Sequence, residues 1–301
     1  MIPSVKITDI NKILDTLKFK DALEPFNKDI LDFLDELSKD IKKNKVSSKY
    51  PELISFSFFC RRANLEILKK KFYSHYLRIG KGTVFHITPT NIPINFAYSL
   101  VFGLLAGNNN IVRVPSKNYD QANIIHNCLN KIGKKKKFLK IRKNFFLIKY
   151  ERDDKITKLI SSQCDVRIIW GGDDTIRQIK SISIPERALD IAFADRYSFS
   201  IINCESLKNL QNTEIVRLAN RFYNDTYLVD QNACSSPHLI FWVGKYNKKK
   251  VDLFWNSLFS IVKKKYTFIE SSAFEKYNLL IKNLIEKEDL EFKKKYSNYL
   301  Y

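Results

Sequence analysis

From Gly82 onward the chain alternates short runs of β-branched and aromatic residues with longer stretches of helical periodicity, and that alternation leaves few folds open. It runs strand TVFHI, helix from Ile92 to Ala106, strand NIVRV, helix from Tyr119 to Ile132, strand FFLIKY, helix from Lys155 to Ser162, strand VRIIW and helix from Thr175 to Ile182. Four strand–helix pairs predict an α/β domain with a Rossmann-type parallel sheet. In such sheets phosphates and cofactors bind just past the carboxyl ends of the strands, where helix N-termini present free amides.

The flanks read differently. Residues 1–80 predict a helical lead-in: LDFLDELSKDIKK carries Leu31, Phe33, Leu34 and Leu37 at helical spacing, and LEILKKKFYSHYL repeats the pattern. Residues 81–200 form the expected dinucleotide-binding domain. Residues 201–301 hold strand SFSII, a helix from Ser206 to Tyr223, the segment QNACSSPHLIFWV and a Lys-rich, mostly helical remainder, here read as a partial catalytic domain. No internal repeat is visible.

A hydrophobic content of 45% over 301 residues is enough to bury a sizeable core. No run of eighteen apolar residues occurs, and MIPSVKITDINKIL has neither a basic n-region nor an apolar h-region, so the expectation is a cytoplasmic chain without a membrane span. The net charge of +20 invites a nucleic-acid partner. Lysines are spread over the whole length, however, only Lys134 to Lys137 are dense, and no nucleic-acid signature accompanies them, so no nucleic-acid role is expected. The five cysteines show no CxxC pairing, and the four histidines stand singly, which argues against a disulfide framework or a metal site.

After TVFHI come Thr88-Pro89-Thr90-Asn91-Ile92-Pro93, then an apolar helix ending Leu105-Ala106-Gly107-Asn108, then a strand ending Arg113-Val114-Pro115-Ser116-Lys117. VRIIW leads into Gly171-Gly172-Asp173-Asp174, and Gln231-Asn232-Ala233-Cys234 follows. The order and spacing resemble the aldehyde dehydrogenase superfamily: P-W-N-F-P, A-A-G-N-T-V-V-x-K-P-S-E, a strand followed by G-S-T, and G-Q-x-C, with Asp230 in place of the last motif's Gly. Within that superfamily the chain resembles the LuxC-like acyl-CoA reductases. YPELISFSFFCRRANLEIL, HITPTNIPINFAYSLVFGLLAGNNNIVRVPSK and QNACSSPHLIFW carry the likeness over roughly residues 50 to 245.

The resemblance implies a reductase in which Cys234 attacks a fatty acyl thioester and a nicotinamide delivers hydride to release aldehyde. It implies that Asn91, with the backbone N–H of Cys234, holds the oxyanion, and hence that both meet at the carboxyl edge of the sheet. Taken alone, Asn91 reads equally well as the N-cap of the helix before Pro93, and Cys234 as a small buried hydrophobe. The superfamily's water-activating Glu falls near Phe193, so exchange with a thiol is expected rather than hydrolysis.

Arg113, Ser116, Lys117, Gly171 and Gly172 are the expected cofactor contacts. Lys117 or Ser116 stands where the superfamily's ribose-binding carboxylate would be, which favours NADPH over NADH. The implied donor is a fatty acyl-CoA or acyl-protein, with an acyl-protein synthetase as partner and a homo-oligomer as assembly. Sixty-seven residues follow Cys234, fewer than in the family, so the catalytic domain is expected to be incomplete. The competing reading is a non-catalytic remnant that only binds nucleotide.

Overall fold

Helices α1 (Ile7–Lys18), α2 (Lys28–Lys43), α3 (Pro51–Phe59) and α4 (Arg62–Lys71) precede the first strand in a computed structural model that describes residues 2, 4–18, 20–90, 92–151, 153–194, 196–229, 235–266 and 270–287. Helix α2 starts where the Asn27 side chain accepts from Asp29 N, and it buries Ile30, Leu31, Phe33, Leu34, Leu37 and Ile41. Its acidic row, Asp32, Glu36 and Asp40, meets Lys137, Lys135 and Lys131. Two lysines of the dense basic block are therefore tied to α2, and the hydrogen bonds from Lys137 and Lys135 hold Asp32 and Glu36 below the ordinary carboxylate range. The helical reading of LEILKKKFYSHYL fails beyond Lys71. Phe72 N closes the helix on Leu68 O, and the aromatic and Ser residues that follow do not extend it.

The sheet is built from β1 (Thr83–Ile87), α5 (Asn95–Leu105), β2 (Asn109–Arg113), α6 (Asp120–Gly133), α7 (Leu139–Arg142), β3 (Phe145–Ile148), α8 (Asp154–Ser161), β4 (Val166–Gly171), α9 (Asp173–Lys180) and β5 (Leu189–Ala194). The strands lie in the order β3-β2-β1-β4-β5, every pair parallel. Central strand β1 is buried at all its positions, as a parallel strand covered on both faces must be. One face packs Phe85, Ile87, Ile111, Ile148 and Ile169 against α1, α8 and α9. The other packs Val112 and Val114 against α2, α5 and α6.

Strand β5 was not foreseen by the periodicity. Asp190 interrupts its apolar pattern, and its reason is across the sheet: Asp190 pairs in register with Arg167 and accepts from its Nε and Nη2, both at 2.7 Å. Arg167 is wholly buried and also donates to Ser161 Oγ and the Ile182 carbonyl, so its charge is paired and its donors are used.

Two glycines let neighbouring groups approach, a side chain at one and backbone at the other. A Cβ on Gly103 of α5 would lie 1.9 Å from Asn110 Oδ1 of β2. Gly107 takes φ 81° just past α5, and a Cβ there would lie 2.0 Å from the Leu23 carbonyl. Asn108 then accepts from the Lys81 and Gly82 amides. This Gly107-Asn108 pair thus fixes the amino edge of the sheet.

The chain divides into two compact units, Met1–Asp195 and Arg196–Tyr301. The second contains β6 (Ser198–Asn203), α10 (Cys204–Asn209), α11 (Asn212–Thr226), β7 (Pro237–Val243), α12 (Lys248–Lys265) and α13 (Glu270–Glu286). β6 and β7 pair in parallel, and α11 and α12 bury Ile215, Ala219, Tyr223, Phe254, Leu258 and Val262. The single helix expected from Ser206 to Tyr223 is two. Leu210 is extended (ψ 139°) between them, Asn203 caps the first, and a Gln211–Glu214 capping box starts the second.

Candidate functional site

Between β1 and β4 the connections diverge: β1 leads toward β2 and β3 on one side, and β4 toward β5 on the other. The crevice beyond the carboxyl ends of two such strands is where an open α/β sheet binds its ligand. Arg113 pairs with Ile87, and Ile87 with Ile169, so the segments after β1, β2 and β4 share one edge. That edge carries Arg113, Ser116, Lys117, Gly171 and Gly172.

Past β1, the buried Thr88 hydroxyl donates to the Arg113 carbonyl at 2.6 Å, joining the exits of β1 and β2. Tyr119 Oη donates to the Thr90 carbonyl at 2.9 Å. Asn91 itself lies outside the described residues, but the helix it was expected to cap begins later, at Asn95, with Ile94 as N-cap. Pro93 stands before that helix rather than in its first turn. The Asn95 side-chain oxygen, in the first turn of α5, is buried with no hydrogen-bond partner among the described residues.

Past β2, Arg113 is half-buried. Its guanidinium lies 4.6 Å from the Tyr150 ring centre, and Nη2 donates to the Tyr150 carbonyl at 3.4 Å. Ser116 is half-buried and Lys117 exposed. Lys149, just past β3, donates from Nζ to Asn118 Oδ1 at 2.9 Å, which adds a third cation to this rim. Sequence reasoning missed Lys149 because it sat inside the run FFLIKY; the signal was that β3 stops at Ile148.

Past β4, Gly172 is the N-cap of α9, and a Cβ built on it meets nothing within 4 Å. A Cβ on Gly171 would lie 3.1 Å from Thr175 Cβ. The amides opening α9 thus follow a glycine with open space beside it, the kind of helix start that can receive an anion. Asp173 and Asp174 occupy the first turn of α9 and oppose an anion there, although Asp174 is paired with Arg177 at 3.0 Å. Open space at Gly172, the orphaned Asn95 oxygen and a cationic rim are features compatible with an anionic cofactor.

A chain of polar contacts runs beneath the site. Asn110 Nδ2 donates to the Asn108 carbonyl, so its Oδ1 faces His86 and fixes Nε2 as the protonated nitrogen. His86 Nδ1 then accepts from Ser99 Oγ, which accepts in turn from Trp170 Nε1. Burial pushes the His86 pKa down to about 4, keeping the ring neutral. Trp170 stacks on its register partner Phe193, with ring centres 4.1 Å apart and planes 13° apart. The carboxyl ends of β4 and β5 thus present an aromatic pair.

Cys60, Cys128, Cys164 and Cys204 are buried. Burial raises the Cys60 thiol and pushes those of Cys128 and Cys164 up to about 12, which suppresses the reactive thiolate. Cys234 lies outside the described residues. Among the described residues no cluster of His, Cys, Asp and Glu could hold a metal, and no helix is long and apolar enough to cross a membrane. A hollow of about 320 Å³, lined in part by Gly82, Thr83, Asn109 and Asp165, opens at the opposite, amino edge of the sheet. That is the wrong edge for a ligand of a parallel sheet.

Several known proteins are similar to this chain in sequence or in fold. Long-chain acyl-protein thioester reductase 2 of Photobacterium leiognathi is 26% identical over 180 residues, covering 60% of this chain and 35% of that protein. Long-chain acyl-protein thioester reductase of Aliivibrio fischeri is 25% identical over 180 residues, covering 59% and 34%. The matched part is thus about a third of these relatives' length. Among solved structures, a salicylaldehyde dehydrogenase from Pseudomonas putida superposes with TM-score 0.62 at 13% identity, covering 94% of this chain and 64% of that one. Proline utilization A from Bradyrhizobium japonicum gives 0.65 at 13%, covering 95% and 32%. These structures establish an aldehyde dehydrogenase-like fold. Residues 21–273 match the acyl-CoA reductase (LuxC) family over most of the chain, and the protein belongs to that family.

Proposed function

We propose that the protein reduces a long-chain fatty acyl thioester to the aldehyde, with NADPH as reductant and Cys234 as the acyl carrier. The observation that carries this reading is the family match over residues 21–273, a span that includes Asn91 and Cys234. The relatives named for acyl-protein thioester reduction support a fatty acyl-CoA or acyl-protein donor.

In this mechanism the Cys234 thiolate adds to the thioester carbonyl. The carbon–sulfur bond to Cys234 forms, the donor's thiolate leaves, and the acyl group stays on the protein. Asn91 and the Cys234 amide donate to the oxygen as it becomes anionic. Arg113, Ser116 and Lys117 would hold the adenosine end of the cofactor, and Gly171 and Gly172 would leave its diphosphate room at the first turn of α9. The cofactor, when bound, supplies the hydride that converts the acyl thioester to aldehyde and frees the Cys234 thiolate. Trp170 and Phe193 offer no base to a water molecule, which suits transfer between thiols rather than hydrolysis.

The test is oxidation of NADPH by purified protein, followed by absorbance, with the aldehyde identified chemically. Oxidation that requires a long-chain acyl-CoA, yields aldehyde and is lost in Cys234→Ser is the expected outcome. Tight NADPH binding with no turnover and no acyl transfer would favour the remnant that only binds nucleotide.

A further inference from the structure

Residues 69–81, the last turn of α4 and the connection that follows it toward β1, contain Lys69, Lys70, Lys71, Arg78 and Lys81 and no acidic residue. The same stretch exposes large apolar side chains: Phe72 is 62% exposed, Tyr73 71%, Tyr76 82%, Leu77 92% and Ile79 69%. It is held at both ends. Phe72 stacks on Phe26 with ring centres 6.3 Å apart. Gly80 N donates to the Leu23 carbonyl at 2.8 Å, and a Cβ on Gly80 would lie 2.3 Å from the Gly107 carbonyl oxygen. Between these anchors the side chains point to solvent, with Tyr73 and His75 in edge contact at 5.2 Å.

A fixed loop that holds Leu and aromatic side chains in water is an interface feature, and its charge says what kind. We propose that residues 69–81 dock the protein on an anionic phospholipid surface, with Tyr76, Leu77 and Ile79 entering the headgroup boundary and the five cations facing lipid phosphates. Apolar tips flanked by lysine and arginine are the chemistry that seats a protein at such a boundary, each part strengthening the other. A second copy of this chain fits poorly, because it would bring the same unbroken positive charge against itself. The +20 net charge of the whole chain also favours an anionic surface.

Co-sedimentation of the chain with phosphatidylglycerol-containing vesicles and with pure phosphatidylcholine vesicles tests the proposal. The chain is expected to pellet with the anionic vesicles alone and to be released by salt. The pair Tyr76→Ser and Leu77→Ser, whose side chains support no core, should weaken binding by about tenfold or more. The triple change Lys69→Gln, Lys70→Gln, Lys71→Gln should weaken it by about a hundredfold, and thermal melts should stay unchanged. Equal binding to both vesicle types overturns the proposal, as does binding indifferent to the Tyr76 and Leu77 changes, which would be charge attraction alone. A concentration-dependent dimer abolished by those two changes also overturns it, since the loop would then be a contact between copies.

Discussion

His86 places a neutral imidazole in the middle strand, and its environment makes the fold acid-sensitive in a defined window. The ring titrates at about 4 in the folded state because it is fully buried, against about 6.5 when unfolded. In that window the unfolded chain binds a proton that the folded chain does not. Stability therefore rises with pH between 4 and 6.5, and the contribution is lost as pH falls from 6.5 toward 4. Going from pH 7 to pH 5 should cost about 2 kcal/mol. Urea denaturation at the two pH values in parent and His86→Gln checks this: the substitution should remove most of the pH slope, and equal slopes would refute a neutral buried ring. Asp32, Asp35 and Glu36, whose pKa values are lowered, lose their contributions further down, as pH falls below the ordinary carboxylate range. None of this was legible in the sequence. In sequence His86 is one of four histidines that stand singly, open to a packing or a surface role, and only contact with Ser99 and Asn110 shows what satisfies it.

At the scale of elements, the sheet was read well where periodicity was strong. TVFHI and VRIIW are strands throughout, and NIVRV and FFLIKY are strands up to Arg113 and Ile148, because parallel strands buried on both faces read as continuous apolar runs. β5 was missed because Asp190 is justified by Arg167, a partner 23 residues away that no local pattern reveals. The break at Leu210 and the end of α4 at Lys71 failed for a related reason, since helical periodicity continues through residues whose caps stop the helix. The rim of β2 and β3 carries the cofactor prediction. Arg113, Lys117 and Lys149 at the carboxyl ends of two adjacent strands, with no carboxylate at the position of Ser116 or Lys117, favour a ribose bearing a 2′-phosphate. Fluorescence titration should give tighter binding of NADPH than NADH. Lys117→Glu should reduce the preference by about tenfold, or ~1.4 kcal/mol, and Arg113→Ala should reduce it as well. Tighter binding of NADH by the parent chain would contradict the assignment.

At the scale of the molecule, order and spacing of motifs revealed more than any single motif. Part of the likeness, Ala106-Gly107-Asn108, turns out to do structural work at the amino edge, where Gly107 meets Leu23 and Asn108 holds the Lys81 amide. The two residues proposed for chemistry, Asn91 and Cys234, rest on the family match and on spacing. The central claim is that Cys234 carries the acyl group. Incubating the protein with a long-chain acyl-CoA and mapping the thioester by peptide mass spectrometry tests it most directly. Acylation of Cys234, abolished in Cys234→Ser and reduced about a hundredfold in rate by Asn91→Ala, is the result expected from a nucleophile with an oxyanion donor. Label on the buried Cys60 or Cys164, with none on Cys234, would contradict the account.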